Sequence, residues 1–356
     1  MSFTRVFDRR FWSSEKRVAD AGFQNALQLF QRAAKRVPAY KQFLETHGVN
    51  PSKIVTREDF KTIPRTDKTN YISKYSLAEM SWDGTLNAAK YISTSSGSTG
   101  VPFFWPRGNA QDDTAGFMFQ NLFTDIFDAK DGSTLFVNSF ALGTWIAGFE
   151  FYNAAKWISY HGVRVTTVTP GIDRNEAVHQ IRKLSSLYSR VVLAGYPPFI
   201  KDILDHGTQT GIEWASMDLR LMVAGEAVSI DWKNRILERI GKAGQYHCFV
   251  NIYGMAEAGV VGHDTPLAQL VREHIDLLPD GMVETHDGLP VTGVYQYYPQ
   301  IRYFEAEPGQ ALALTTDAGM PMIRYDTRDT GGIIHRSALS NPTFKQLAAE
   351  RNIDVE

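Results

Sequence analysis

Residues 93–102 read Ser-Thr-Ser-Ser-Gly-Ser-Thr-Gly-Val-Pro, a run of small and hydroxyl-bearing side chains. Gly97 and Gly100 open backbone angles closed to other residues and let the chain approach a ligand closely. Consecutive backbone N–H groups in such a loop form an anion nest, and Ser95, Ser96, Ser98 and Thr99 add hydroxyl donors. The guest that suits it is a phosphate. The plainer alternative is a flexible Ser/Gly surface loop. Against that alternative, Val101-Pro102 and Phe103-Phe104-Trp105 follow at once, an apolar run that clamps a loop into a folded body. The spacing excludes a Walker loop, because no lysine follows Gly100, and no Gly-x-Gly-x-x-Gly fingerprint stands here.

Three further clusters offer chemistry. In Asn251-Ile252-Tyr253-Gly254-Met255-Ala256-Glu257, Tyr253 presents an aromatic face on which a base can stack. The Asn251 amide can pair with an adenine edge. Glu257 can hold Mg²⁺, which takes carboxylate together with phosphate oxygens. The alternative is a core tyrosine at a strand end beside a surface glutamate. In Val223-Ala224-Gly225-Glu226, Gly225 would let adenine lie flat against the backbone, or simply mark a strand-to-helix turn. In Ile323-Arg324-Tyr325-Asp326-Thr327-Arg328-Asp329-Thr330-Gly331, Asp329 can accept both hydroxyls of a ribose and Arg328 can face phosphate oxygens bidentately. A salt-bridged surface turn is the alternative there. The nine histidines are scattered without ligand-like spacing.

These clusters need elements to carry them. Short apolar, β-rich runs at 134–137, 163–168, 191–194, 219–224 and 246–252 alternate with helix-like stretches near 144–160, 174–188, 198–206 and 230–241. Strands apolar on both faces and separated by helices imply a parallel α/β sheet. Ligands of such sheets bind at the carboxyl ends of the strands, where Gly195-Tyr196-Pro197, Gly225-Glu226-Ala227 and Gly254-Met255-Ala256-Glu257 all lie. Upstream, Phe23, Leu27, Phe30, Ala34 and Val37 form a helical stripe that Pro38 is expected to stop. Downstream, the runs at 294–298, 311–315 and 321–325 read as antiparallel β structure. An apolar content of 43% can fill a sizeable core. A net charge of −2 argues against nucleic acid or an anionic membrane as partner. Cys248, the one cysteine, allows no internal disulfide, suits a reducing cytosol and is expected inside a strand as a small core residue. The N-terminus lacks the apolar core of a signal peptide and no uncharged apolar run could span a bilayer, so a cytoplasmic protein is expected.

In this order the four clusters resemble the phosphate loop, Gly-Glu turn, Tyr-Gly-x-x-Glu and Arg-Tyr-x-Thr-Arg-Asp motifs of the adenylate-forming, acyl-CoA synthetase superfamily. Val37-Pro38-Ala39-Tyr40-Lys41, Asp59 through Lys68, and Tyr297-Tyr298-Pro299-Gln300 ahead of Gly309-Gln310 look like the phenylacetate–coenzyme A ligase branch. The resemblance runs from about residue 20 to about 335, and ordered motifs are far more specific than any single one. It implies the large N-terminal α/β domain of that superfamily, with mostly parallel sheets flanked by helices. The expected division is an AMP-binding domain over 1–335, made of a helical region 1–89, an α/β core 90–290 and a β-rich part 291–335. Residues 336–356 are expected to be a hinge and tail, with the small mobile C-terminal domain absent.

By the same resemblance, the chain activates a carboxylic acid with ATP and passes the acyl group to a thiol, most simply coenzyme A. The β/γ-phosphates would rest on Ser95–Gly100. Gly225, Glu226, Asn251, Tyr253 and Gly254 would frame adenine, Asp329 would bind the ribose, Glu257 would ligate Mg²⁺, and Glu257 and Arg328 would be catalytic. Phe140, Trp145, Ile146 and Ala147, with Tyr196 and Pro197, would wall a pocket for an aryl or medium apolar acid. Ile146 and Ala147 read equally well as core residues of a long helix. A non-catalytic nucleotide- or acyl-binding protein, an enzyme loading a carrier protein's thiol, and a homodimer are the other expectations. Along the motifs the sequence departs from the superfamily pattern at two places. Val101 and Phe103 flank Pro102 where a lysine is usual, leaving Arg107 as the substitute charge, and Ala256 stands where a Thr or Ser hydroxyl would meet the AMP phosphate.

Overall fold

A computed structural model describes residues 14–95, 102–143, 145–278 and 291–354. The chain divides into two compact units. One comprises residues 1–91, 274–291 and 297–356, the other residues 92–273 and 292–296.

The first unit begins with helix α1 (Glu15–Arg36), capped by the Ser14 hydroxyl, with Glu15 in its first turn and Lys35 and Arg36 in its last. Those charges match the helix dipole. Its apolar stripe buries Phe23, Ala26, Phe30 and Ala33. Pro38 does not merely end α1. After one extended residue, Val37, it opens helix α2 (Pro38–Thr46) from its first turn, where a missing N–H costs nothing. Helix α3 (Arg57–Lys61) follows behind a Thr56–Asp59 capping box. Phe30, Tyr40, Phe43, Phe60 and Tyr71 meet largely edge to face in the aromatic core of this unit.

The second unit opens with β1 (Tyr91–Thr94) and β2 (Phe104–Arg107), paired as a two-stranded sheet, and helix α4 (Asn109–Asn121). Then come β3 (Thr134–Ser139), α5 (Ile146–Tyr160), β4 (Val165–Val168), α6 (Arg174–Leu184), β5 (Arg190–Gly195), α7 (Pro197–Gln209), β6 (Leu219–Ala224), α8 (Ile230–Arg239), β7 (Phe249–Met255), β8 (Gly259–His263), α9 (Pro266–Glu273) and β9 (Gln296–Tyr297). The main sheet runs β4-β3-β5-β6-β7-β8-β9. Pairing is parallel from β4 through β7, and β7 turns back antiparallel into β8. Every residue of β3 and β5 is buried, as a sheet covered on both faces requires. Leu135 and Val137 face a core shared with Ile181, Ile200, Leu204 and Leu237 from α6, α7 and α8. The intervening Phe136 points the other way, toward Phe119 and Phe123 at 6.3 and 5.7 Å between ring centroids.

The chain then returns to the first unit through β10 (Tyr303–Glu305), β11 (Ala313–Asp317) and β12 (Pro321–Asp326), a three-stranded antiparallel sheet, and helix α10 (Pro342–Glu350). Thr66 bridges to Tyr325 beside this sheet. Its N–H donates to Arg324 O at 3.3 Å and its carbonyl accepts from Asp326 N at 2.8 Å. No helix among the described residues is long and apolar enough to cross a membrane.

Candidate functional site

The registers of the parallel strands put Ser139, Gly195, Val223 and Asn251 in one row across β3, β5, β6 and β7. The segments that follow those residues therefore leave the sheet along a single edge, the carboxyl edge. The chain reaches β4 on one side of β3 and later returns to β5 on the other, so β3 and β5 flank the switch point where doubly wound sheets form a crevice. Phe140 follows β3 here, and Tyr196 follows β5.

Beyond β6, Gly225 adopts φ +95°, a left-handed conformation that suits glycine. The Tyr196 ring reaches to 3.4 Å of where a Cβ on Gly225 would stand. The Tyr196 hydroxyl donates to Glu226 Oε2 at 2.5 Å. The Tyr-Pro turn after β5 and the Gly-Glu turn after β6 are thus one bonded unit. Pro197 is buried as the first residue of α7.

Asn251 is buried in β7. Its Nδ2 donates to Tyr295 Oη at 3.3 Å, while its Oδ1 receives no hydrogen bond among the described residues. The Tyr295 ring lies beside Tyr253 at 5.4 Å between centroids, tilted by 30°. Sequence reading missed Tyr295, since nothing local ties position 295 to position 253. The β7–β8 register shifts between Tyr253 and Gly254, a bulge of the kind that re-aims side chains beside functional sites. The hairpin end past it holds Met255, Ala256 and the buried Glu257. The antiparallel β8 was also missed, because a parallel reading leaves no place for a hairpin. Behind Asn251, Asp264 Oδ1 accepts from Asn251 N at 2.7 Å. Burial pushes its pKa up to about 8, against the pull of that N–H, Lys233 and Arg272.

The hydroxyl-rich loop is described only at its ends, and Ser96, Gly97, Ser98, Thr99, Gly100 and Val101 lie outside the described residues. Ser95 N donates to Phe103 O at 3.0 Å, and Ser95 Oγ accepts from Phe103 N at 3.0 Å. Those two bonds close the neck between β1 and β2. Arg107, expected to supply the missing lysine's charge, stands four residues past Phe103 at the end of β2. Arg107 is 2% exposed, and its guanidinium donates through Nη2 to Ala256 O at 2.6 Å and Glu257 O at 2.8 Å.

Of the expected acid-pocket walls, Trp145 is 57% exposed and bridges to Thr94. Ile146 and Ala147 are half-buried at the start of α5. The Phe140 ring packs against Phe151 at 4.8 Å. Cys248 stands in a short turn just before β7 rather than within the strand, and burial raises its thiol pKa.

Arg328 and Asp329 belong to the first unit and are exposed. Arg328 has φ +63°, and its N–H donates to Asp326 Oδ1 at 2.8 Å. The Asp329 backbone is pinned through Leu312 N at 2.8 Å. Arg324 of the same motif is buried, with Nε on Glu305 Oε2 at 3.0 Å and Nη2 on Glu307 Oε1 at 3.1 Å. Among the described residues no three His, Cys, Asp or Glu side chains cluster around a metal position. One carboxylate ligand, the role expected of Glu257, nonetheless suits Mg²⁺ that is otherwise held by substrate phosphates.

No protein-family profile matches the chain, and no curated protein matches it in sequence. Solved structures do. An open conformation of 2-hydroxyisobutyryl-CoA ligase in complex with 2-HIB-AMP and CoA matches with a TM-score of 0.66 at 15% identity, over 87% of this chain and 69% of that one. The same ligase in its thioesterification state gives 0.66 at 17% identity, over 88% and 63%. In its postadenylation state with 2-HIB-AMP it gives 0.63 at 16%, over 87% and 61%. The chain thus spans 61–69% of the length of these ligase chains. The fold expected from the motifs is the fold observed: this chain has the α/β architecture of those acyl-CoA ligase structures, built on a mostly parallel seven-stranded sheet flanked by helices.

Proposed function

We propose that this chain activates a carboxylic acid with ATP and delivers the acyl group to a thiol, coenzyme A being the acceptor. The observation that carries the reading is the single edge of the sheet. Along it lie an open glycine turn, a tyrosine ring, a buried asparagine with an unused acceptor and a buried glutamate, in the motif order of adenylate-forming enzymes. The substrate carboxylate attacks the α-phosphorus of ATP and pyrophosphate leaves. A thiolate then attacks the acyl carbon and AMP leaves. Both steps need aligned reactants and neutralised charge rather than a protein nucleophile.

In this reading Asn251 Oδ1 accepts from the adenine amino group, the Tyr253 face carries the base, and Gly225-Glu226 border it. Glu257 holds Mg²⁺, which neutralises phosphate charge when bound. Ser95–Gly100, Arg328 and Asp329 keep their phosphate, catalytic and ribose roles on motif grounds. Trp145, Ile146 and Ala147, with Tyr196 and Phe140, favour an aryl or medium apolar acid.

Titration calorimetry with ATP·Mg²⁺ and AMP tests the nucleotide site. Saturable binding is expected, weakened about tenfold or more in Tyr253→Ala and Asp329→Ala, the scale of one lost polar or stacked contact. Equal affinity in both variants and the parent rejects the assignment. One observation favours a second reading, a nucleotide binder without catalysis: Ala256 has no hydroxyl where the superfamily motif carries one. Acid-dependent ATP–pyrophosphate exchange above background excludes it.

A further inference from the structure

Two buried charges of opposite sign grip the hairpin end that carries Glu257. Arg107, on the strand that leaves the hydroxyl-rich loop, gives both carbonyls on either side of the Glu257 N–Cα unit a charge-assisted bond, at 2.6 and 2.8 Å. Glu150, 8% exposed on α5, accepts from Val260 N at 3.2 Å. Between them Gly259 has φ +74°, and a Cβ there would stand 2.3 Å from Glu150 Oε1. A buried guanidinium and a buried carboxylate are expensive to desolvate. A three-residue hairpin end can close without either, and Ala258 N already bonds Met255 O at 3.2 Å. Glu150 is also the one acidic residue in α5, the helix that begins at the acid-pocket candidates Ile146 and Ala147.

We infer that Arg107 and Glu150 are positioning residues that fix the Glu257 backbone, tying the loop strand and the pocket helix to the carboxylate proposed for Mg²⁺. The inference rests on that assignment of Glu257. Outer-shell partners orient a metal ligand, and losing one typically costs about 10–100-fold in metal affinity.

The test is calorimetric ATP affinity across a Mg²⁺ series and in EDTA, with the melting temperature as a check of folding. Arg107→Gln and Glu150→Leu are expected to match the parent in EDTA and to need about tenfold more Mg²⁺ or greater for the same gain. Glu150→Gln, which keeps the acceptor for Val260 N, is expected to behave as the parent does. Folded variants with the parental Mg²⁺ response overturn the inference. If the larger changes unfold the chain, Arg107→Lys carries the test. It keeps the charge but loses the planar fork, the same weakened response is expected, and a parental response overturns the inference. Faster amide exchange at Ala258 and Val260 in Arg107→Gln and Glu150→Leu is the second, nucleotide-free readout, and parental exchange there also counts against it. Glu257→Ala separates the failures. A parent that binds no nucleotide rejects the proposed function. A Mg²⁺ response that survives Glu257→Ala rejects the metal assignment and this inference with it.

Discussion

Asp264 keeps its proton in the folded chain at neutral pH. Burial raises its pKa from about 3.8 to about 8, and the Asn251 N–H, Lys233 and Arg272 offset only part of that cost. The sign of the linkage follows. Between those two values the unfolded chain has released this proton and the folded chain still holds it. Stability from this group is therefore full below the unfolded value and is lost as pH rises through 8. Next to it, burial lowers the His263 pKa from 6.5 to about 4. Stability from that group is full above the unfolded value and is lost as pH falls through 4. Asp264→Asn keeps an acceptor for Asn251 N–H and removes the charge. Its melting temperature is expected to exceed the parent's at pH 8, by about 2–4 °C for each kcal/mol recovered, with the gap closing toward pH 4. A gap that does not change with pH in thermal denaturation refutes the linkage.

The element that shows most clearly how packing outweighs propensity is α1. Gly22 sits in its middle, where alanine gains about 1 kcal/mol in a free helix. Here a Cβ would meet Pro299 Cβ and O at 2.8 Å and its carbonyl carbon at 3.0 Å. Backbone atoms do not yield as a side-chain tip does, and overpacking costs about 1–3 kcal/mol. Gly22→Ala is therefore expected to lower the urea midpoint, and an unchanged or raised midpoint contradicts the packing argument. The same contact packs the Tyr297-Tyr298-Pro299-Gln300 segment against α1. Asn25 Nδ2 donates to Gln300 O at 3.0 Å, so segments about 275 positions apart form one packed element. The Arg65 guanidinium makes a similar tie to Ala311 O at 2.6 Å.

At the scale of the whole molecule, the reading predicts a mass-action effect. A ligand that binds only the folded chain stabilises it by about 2.7 kcal/mol at one hundred times its dissociation constant. Saturating ATP·Mg²⁺ is thus expected to raise the melting temperature by several degrees, and Tyr253→Ala to shift the required concentration upward. No rise at concentrations where calorimetry shows saturation would mean that the nucleotide binds the unfolded chain equally well. The sheet order supplies the setting for such a site, since β3 and β5 flank the point where the winding reverses.

By itself the sequence determined what contiguous residues can encode. The β-rich runs and helical stretches lie close to the observed strands β3 to β7 and helices α5 to α8, because period and turn chemistry are local. The order of four motifs was enough to anticipate the fold. The sequence could not show that Pro38 begins a helix rather than ending the chain's helical run, that β8 folds back on β7, or that Tyr295 lies beside Tyr253. Nor could it show that Arg107 spends its guanidinium on the Glu257 turn, 150 residues away. Only the tertiary structure decided these, because lateral strand order and the burial of a charge depend on contacts between residues distant in the chain. Glu150, the one acid in an otherwise mostly apolar helix, was the local trace of such a contact. Its partner became known only when α5 was packed against the hairpin.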